Sequence, residues 1–184
     1  NAASAGLSPI KINMVVMRSV NLASIVPMAK HFRESGHILR FIEYMDVGDS
    51  NGWRLDEVVP SSEIVEIIGS QLPIEPIAPN YLGEVASRWK YTDGSGEIGL
   101  ISSVSQPFCG DCSRLRLSAR GELFTCLFAS SGYDVRALLR GDASDEKIVD
   151  TVTSLWRNRD DRYSELRSEQ TQQTSRVEMS YIGG

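Results

Sequence analysis

The chain has 184 residues and a formal net charge of -5 at pH 7, with 41% hydrophobic and 23% charged residues, proportions that fit one globular domain with or without an appendage. That balance excludes a general nucleic-acid surface, which needs clustered positive charge, and no apolar run is long enough to span a bilayer. No signal-peptide pattern opens the chain, and three cysteines gathered in one short stretch exclude a disulfide framework, so a reducing compartment and a metal are expected.

In chain order, Lys11 to Met17 is predicted to be a strand, Leu22 to Glu34 a helix ending near Gly36, and Leu39 to Met45 a second strand. Two β-prone runs separated by about 20 residues of helical character read as a parallel crossover unit. The polar GDSNG at 48–52 closes this part, and a short helix follows at Ser62 to Ser70, with Ile64, Val65, Ile67 and Ile68 as a narrow apolar stripe. Pro73, Pro76 and Pro79, with Pro60 upstream, mark 71–80 as a linker without regular structure.

Asp93-Gly94 between SRWKYTD and EIGLISSVS is a hairpin signal, and Ala119-Arg120-Gly121 between RLRLS and ELFTC is a second one. Helices are expected at Tyr133 to Leu139 and Asp145 to Arg157, the latter burying Ile148, Val149, Val152, Leu155 and Trp156. Residues 168–176 read as polar and irregular. The boundaries expected from this reading are 1–48, 49–92 and 93–184.

Every cysteine lies in FCGDCSRLRLSARGELFTC, residues 108–126. Cys109 and Cys112, separated by Gly110 and Asp111, can reach one metal from a tight turn. If the loop is 119–121, Ser118 pairs with Glu122 and Arg114 faces Cys126, about 5 Å apart at Cβ. Arg116 shares that face, while Leu115, Leu117 and Leu123 point the other way into a core. Three readings stay open on spacing alone: zinc closed by His31 or His37, the only two histidines; structural thiols without metal; and an iron–sulfur cluster one cysteine short of the usual four, its open iron beside guanidinium groups suited to an anion. A zinc-binding interaction module and a sulfur carrier ending in Gly183-Gly184 are the alternative functions.

FCGDCSRLRLSARGELFTCLFA, FIEYMDVG at 41–48, KINMVVMR at 11–18 and the terminal Gly-Gly resemble the C-terminal half of the GTP 3',8-cyclase family, radical S-adenosylmethionine enzymes that begin molybdenum cofactor biosynthesis. The resemblance implies an α/β chain: the last βα units of an incomplete TIM-type barrel, then an α+β region of hairpins and helices carrying the second of two iron–sulfur clusters. It implies Cys109, Cys112 and Cys126 as ligands of a [4Fe-4S] cluster, and Lys11, Arg40, Arg114 and Arg116 as contacts to GTP. Met45 is implied as a contact to S-adenosylmethionine, and Gly183 and Gly184 as a tail that enters the active site. Lys11 and Arg40 are expected at the N-terminal ends of their strands and Met45 at the opposite end.

The Cys-x3-Cys-x2-Cys motif of the first cluster is absent from the sequence, and the chain begins at Asn1 without methionine. The expectation is therefore a C-terminal portion that binds GTP but does not turn over alone. GTP, S-adenosylmethionine, a reductant, a second copy of the chain and a downstream cyclic pyranopterin monophosphate synthase are the implied partners, with no nucleic acid or membrane. The implied location is a bacterial cytoplasm, or an organellar matrix in a eukaryote.

Overall fold

The computed structural model describes residues 1–167 and 176–182. They fall into two compact units, Asn1–Met45 with Trp53–Asp111, and Asp46–Gly52 with the chain from Cys112 onward. Among the described residues no helix is long and apolar enough to cross a membrane.

The first unit is a mixed α/β layer pair. Its elements are β1 (Lys11–Val16), α1 (Arg18–Asn21), a 3-10 turn (Leu22–Ser24), α2 (Ile25–Phe32), β2 (Ile38–Glu43), α3 (Ser61–Gly69), β3 (Ile74–Ile77), β4 (Ser87–Tyr91) and β5 (Glu97–Ile101). The sheet order is β1-β2-β5-β4-β3. β1, β2 and β5 run parallel, and β5, β4 and β3 are joined antiparallel. The predicted β1–helix–β2 crossover is thus present, and the Asp93-Gly94 signal marks the β4–β5 turn.

The helix predicted at 22–34 is shorter than expected: 22–24 form a 3-10 turn, the α-helix runs only over Ile25–Phe32, and Asn21 closes the short α1 before it. That side chain accepts from Met17 N at 2.9 Å and donates to Val15 O at 2.8 Å, satisfying the end of β1 instead of continuing a helix. Pro27 then sits in the first turn of α2, where no intrahelical N–H is needed.

One face of the sheet carries Val16, Leu39, Phe41, Ile98 and Leu100, packed on Ile25 and Ala29 of α2 and on Ile64 and Ile68 of α3. Side chains alternate along each strand, so Lys11, Asn13 and Val15 fall on the other face, where Val15 is 45% exposed. The expected irregular linker is corrected: Ile74–Ile77 pairs with β4, with Pro76 opposite Trp89. β3 is an edge strand, the position in a sheet that tolerates a proline.

The second unit contains β6 (Arg116–Leu117), β7 (Glu122–Phe124), β8 (Tyr133–Asp134), α4 (Arg136–Arg140), α5 (Asp145–Arg157) and α6 (Tyr163–Leu166). The predicted hairpin register holds: Leu117 faces Leu123, and Ser118 N donates to Glu122 O at 2.9 Å. The ladder stops at Arg116–Phe124, so Arg114 and Cys126 lie beyond it. Gly121 makes the turn at φ +81°, and a Cβ there would also crowd Arg136 Cγ.

Three expectations are corrected in this unit. Tyr133 and Asp134 form β8 rather than the start of a helix, because they pair with Leu123 and Glu122. Leu123 is buried, but Leu115 and Leu117 are 37% and 54% exposed, since β6 is the edge of a three-stranded sheet and only its Cys112–Arg114–Arg116 side is covered. Finally, α5 has the predicted bounds and Ser144 caps it by accepting from Lys147 N. None of its apolar stripe is buried, and Val149 is 60% exposed. The segment 168–175 lies outside the described residues.

Candidate functional site

The open face of the first sheet gathers cations. Asn13, Arg40, Gly99 and Arg88 stand in one row across β1, β2, β5 and β4. Lys11, two residues before Asn13, lies on the same face. Lys11, Arg40, Glu84, Arg88, Glu97 and Gly99 line a cavity of about 20 Å³. Arg40 is the third residue of β2, not its first, one pleat further in than Lys11.

Gly99 lets the Arg40 stem lie flat on the sheet: a Cβ there would come 3.0 Å from Arg40 Cγ and 3.2 Å from Ala86 Cβ. Arg88 is pinned, donating to Ala78 O at 3.0 Å and to Glu97 Oε2 at 2.5 Å. Arg40 makes no comparable bond, and its buried Nε, like that of Arg88, has no hydrogen-bond partner among the described residues. Burial pushes the Glu84 carboxyl up, but the Asn80 N–H groups and the charges of Arg88 and Arg40 outweigh that and hold it below its ordinary value. The face can therefore receive an anion between a fixed and an uncommitted guanidinium. Met45 follows the C-terminal end of β2 and is half-buried.

Cys109 belongs to the first unit, in the segment after β5, while Cys112 and Cys126 belong to the second. None of the three is disulfide-bonded among the described residues, and all are half-buried. In the second unit Arg114 Nη2 donates to Cys112 Sγ at 3.4 Å, and Phe128 N donates to Cys126 Sγ at 3.4 Å. Burial pushes the Cys112 thiol up, yet Arg114, through its backbone N–H, its side chain and its charge, together with Arg159, draws it below its ordinary value.

Burial and the like charge of Arg114 pull Arg116 down, while Cys112 and Cys126 act on it in the opposite sense. Arg116 therefore sits within electrostatic reach of both sulfurs, and remains charged. Arg159, which sequence reasoning missed, donates to Cys112 O and stacks over Trp156 at 3.9 Å. Its signal was the Trp156–Arg159 spacing at the end of α5.

Among the described residues no three His, Cys, Asp or Glu side chains are arranged to hold one metal ion. His31 and His37 pack about Phe32 in the first unit. The donor chemistry, sulfur side chains of which Cys112 is favoured as a thiolate by Arg114 and Arg159, fits a soft metal or an iron–sulfur cluster.

The second unit also holds residues 176–182. Asp46, 2% exposed, accepts from Arg167 Nε at 2.9 Å and pairs with Arg176 Nη1 at 3.0 Å, and Tyr163 OH donates to it at 2.5 Å. Burial, then that hydrogen bond, pushes the Tyr163 phenol up to about 12. Tyr163 stacks on Phe128, two residues from Cys126, with ring centroids 4.6 Å apart.

Glu178 accepts from Asp49 N and Ser50 N at 3.0 and 3.1 Å, beside Gly48, whose φ of +67° favours glycine. Tyr181 OH donates to Glu122. The GDSNG segment, read from sequence as a plain turn, is thus the seat of the chain's last described residues. Gly183 and Gly184 lie outside the described residues.

A mixed α/β sheet with a cationic face, joined in sequence to a hairpin that sets guanidinium groups beside thiols, defines an α/β protein. Residues 37–165 match the family model Molybdenum Cofactor Synthesis C, and the chain belongs to that family. Along its whole length it is 48% identical to the GTP 3',8-cyclase of Acidothermus cellulolyticus, of which it covers 58%. It is likewise 48% identical to that of Xanthomonas campestris pv. campestris, covering 53%. With the GTP 3',8-cyclase of Synechococcus sp. (strain CC9902) it shares 46% identity over 95% of this chain and 51% of that protein. The chain spans about half the length of the curated relatives it matches.

Proposed function

We propose that this chain is the C-terminal, GTP-binding portion of a radical S-adenosylmethionine GTP 3',8-cyclase. The whole enzyme converts GTP to (8S)-3',8-cyclo-7,8-dihydroguanosine 5'-triphosphate in the first step of molybdenum cofactor biosynthesis. The observation that carries this reading is the clustering of Arg114 and Arg116 with Cys112 and Cys126, in a chain so similar to proteins of that name.

In this reading Cys109, Cys112 and Cys126 hold a [4Fe-4S] cluster. When bound, the cluster supplies an iron with an open position for the guanine of GTP. Arg114 and Arg116 orient the nucleotide beside it. Lys11 and Arg40 bind phosphate oxygens, Arg40 with its stem seated on Gly99. The first sheet, with its open Lys11–Arg40 face, contributes the last strands of a partial barrel; residues 1–48, 49–92 and 93–184 are barrel end, connection and cluster region.

Met45 packs against S-adenosylmethionine, and Gly183 and Gly184 enter the site, where glycine backbone fits a narrow space. Cleaving S-adenosylmethionine needs a reductant and a second [4Fe-4S] cluster held by a Cys-x3-Cys-x2-Cys set, which these residues lack. The chain alone is proposed to bind GTP without turnover. A homodimer in a bacterial cytoplasm, passing its product to a cyclic pyranopterin monophosphate synthase, completes the reading.

Anaerobic reconstitution of the 184-residue chain tests it, with about four irons expected per chain. Arg114→Ala and Arg116→Ala should keep that iron and each weaken GTP binding about tenfold or more, the value of one charge-assisted hydrogen bond. Stoichiometric zinc without iron uptake would refute the cluster, and loss of iron in the arginine variants would make those side chains structural.

A further inference from the structure

Glu43 ends β2 and is completely buried. A buried carboxylate is tolerated only when fully hydrogen-bonded, and this one is. Its Oε1 accepts from Ser61 N at 2.8 Å and from Ser105 Oγ at 2.5 Å. Its Oε2 accepts from Val104 N and Ser105 N, both at 2.8 Å.

The donors come from two places. Ser61 is the first residue of α3, so its N–H is one of the helix's unpaired donors and the helix dipole favours the charge. Val104 and Ser105 lie in the turn that follows β5, closed by Gln106 N donating to Ser102 O at 3.1 Å. The same turn is tied to α3 a second time, by Ser102 Oγ donating to Ser61 Oγ at 2.7 Å. The chain then runs through Phe108 to Cys109. Three residues of extended chain span no more than about 11 Å, so whatever fixes Gln106 confines Cys109.

We infer that Glu43 is the positioning residue for Cys109. It fixes the root of the segment that carries this thiol, and, being two residues from Met45, sets the exit of β2 with the same side chain. The inference rests on the reading of Cys109 as a cluster ligand. A glutamine at this position keeps the shape but replaces one acceptor oxygen with an NH2 group. On either side that group faces a backbone N–H, of Ser61 or of Val104 and Ser105, that cannot turn away. In one orientation the Ser61 N–H loses its acceptor and in the other both turn amides do, so either way the tie between α3 and the turn is broken.

The test uses the full-length enzyme with four variants: Glu43→Gln, Cys109→Ser, and the core truncations Ile64→Ala and Val59→Ala as controls of comparable lost stability in the same unit. Hydrogen exchange of the Val104 and Ser105 amides in cluster-free protein should quicken about tenfold or more in Glu43→Gln. Iron retained after anaerobic reconstitution should fall in Glu43→Gln as far as in Cys109→Ser, while Ile64→Ala and Val59→Ala keep wild-type iron. Faster exchange with wild-type iron in Glu43→Gln would overturn the inference, as would equal iron loss in the core truncations, which would make Glu43 merely structural. If Cys109→Ser itself keeps all its iron, the ligand reading fails, and the inference with it.

Discussion

The heaviest electrostatic commitment in the second unit is Asp46, and removing its charge gives the most demanding test of the packing. Its carboxylate faces Arg167 at 2.9 Å and Arg176 at 3.0 Å, side chains that are 7% and 5% exposed. Asp46→Asn leaves two buried guanidinium groups sharing one amide oxygen. Removing one partner of a buried pair costs about 3–5 kcal/mol.

The lower end applies here, because Arg176 keeps the Asp46 carbonyl and its stacking over Tyr163 at 4.7 Å, and Arg167 keeps its place over Phe128 at 5.3 Å. About 3 kcal/mol raises the unfolded fraction roughly a hundredfold, out of a typical 5–15 kcal/mol for a whole domain. Urea denaturation by circular dichroism should show it, with residues 176–182 losing amide protection first. The Asp46→Leu, Arg167→Met, Arg176→Met triple variant should be less destabilised than Asp46→Asn, since buried ion pairs exchange for apolar groups at little cost. An Asp46→Asn chain within about 1 kcal/mol of the parent, or a triple variant worse than it, would refute a desolvated cluster.

Two further outcomes follow from single sites. Gly99→Ala places a methyl 3.0 Å from Arg40 Cγ and 3.2 Å from Ala86 Cβ, so the Arg40 stem must lift. Calorimetry should show GTP affinity reduced several-fold against a stability loss of no more than about 1–3 kcal/mol, and an unchanged affinity would remove Arg40 from the phosphate site. The Tyr163 phenol, raised to about 12 by burial and Asp46, stays protonated in the folded chain at pH values where it ionises in the unfolded one. Its stabilisation is therefore complete below about pH 10 and lost as pH rises toward 12; an ultraviolet titration giving an ordinary phenol value would contradict the buried Asp46 contact.

Local pattern carries far in this chain. Alternation and turn residues place β1, β2, the Asp93-Gly94 turn, the register of the Ala119–Gly121 hairpin and both ends of α5, because each depends on neighbours a few residues away. The cysteine–arginine grouping is legible in part for the same reason: Cys112, Arg114 and Arg116 fall at alternate positions leading into β6 and are all half-buried, although the paired ladder ends at Arg116–Phe124, short of Arg114 and Cys126.

Other features depend on partners distant in sequence. Pro76 could be a strand residue only because Ile74–Ile77 lies at a sheet edge, and Leu117 is exposed because β6 is one too. The apolar stripe of α5 is real in sequence, yet burial needs a facing surface, and none of its residues is buried. Glu43 takes its donors from residues 18, 61 and 62 positions away, and Asp46 meets Arg167 across 121. The sequence alone therefore determined which elements form and which chemistry the hairpin carries. Only the tertiary structure decided which carboxylates are buried, which arginine stays uncommitted and why Gly99 lies beneath it, because desolvation is a property of what surrounds a side chain and not of its neighbours in the chain.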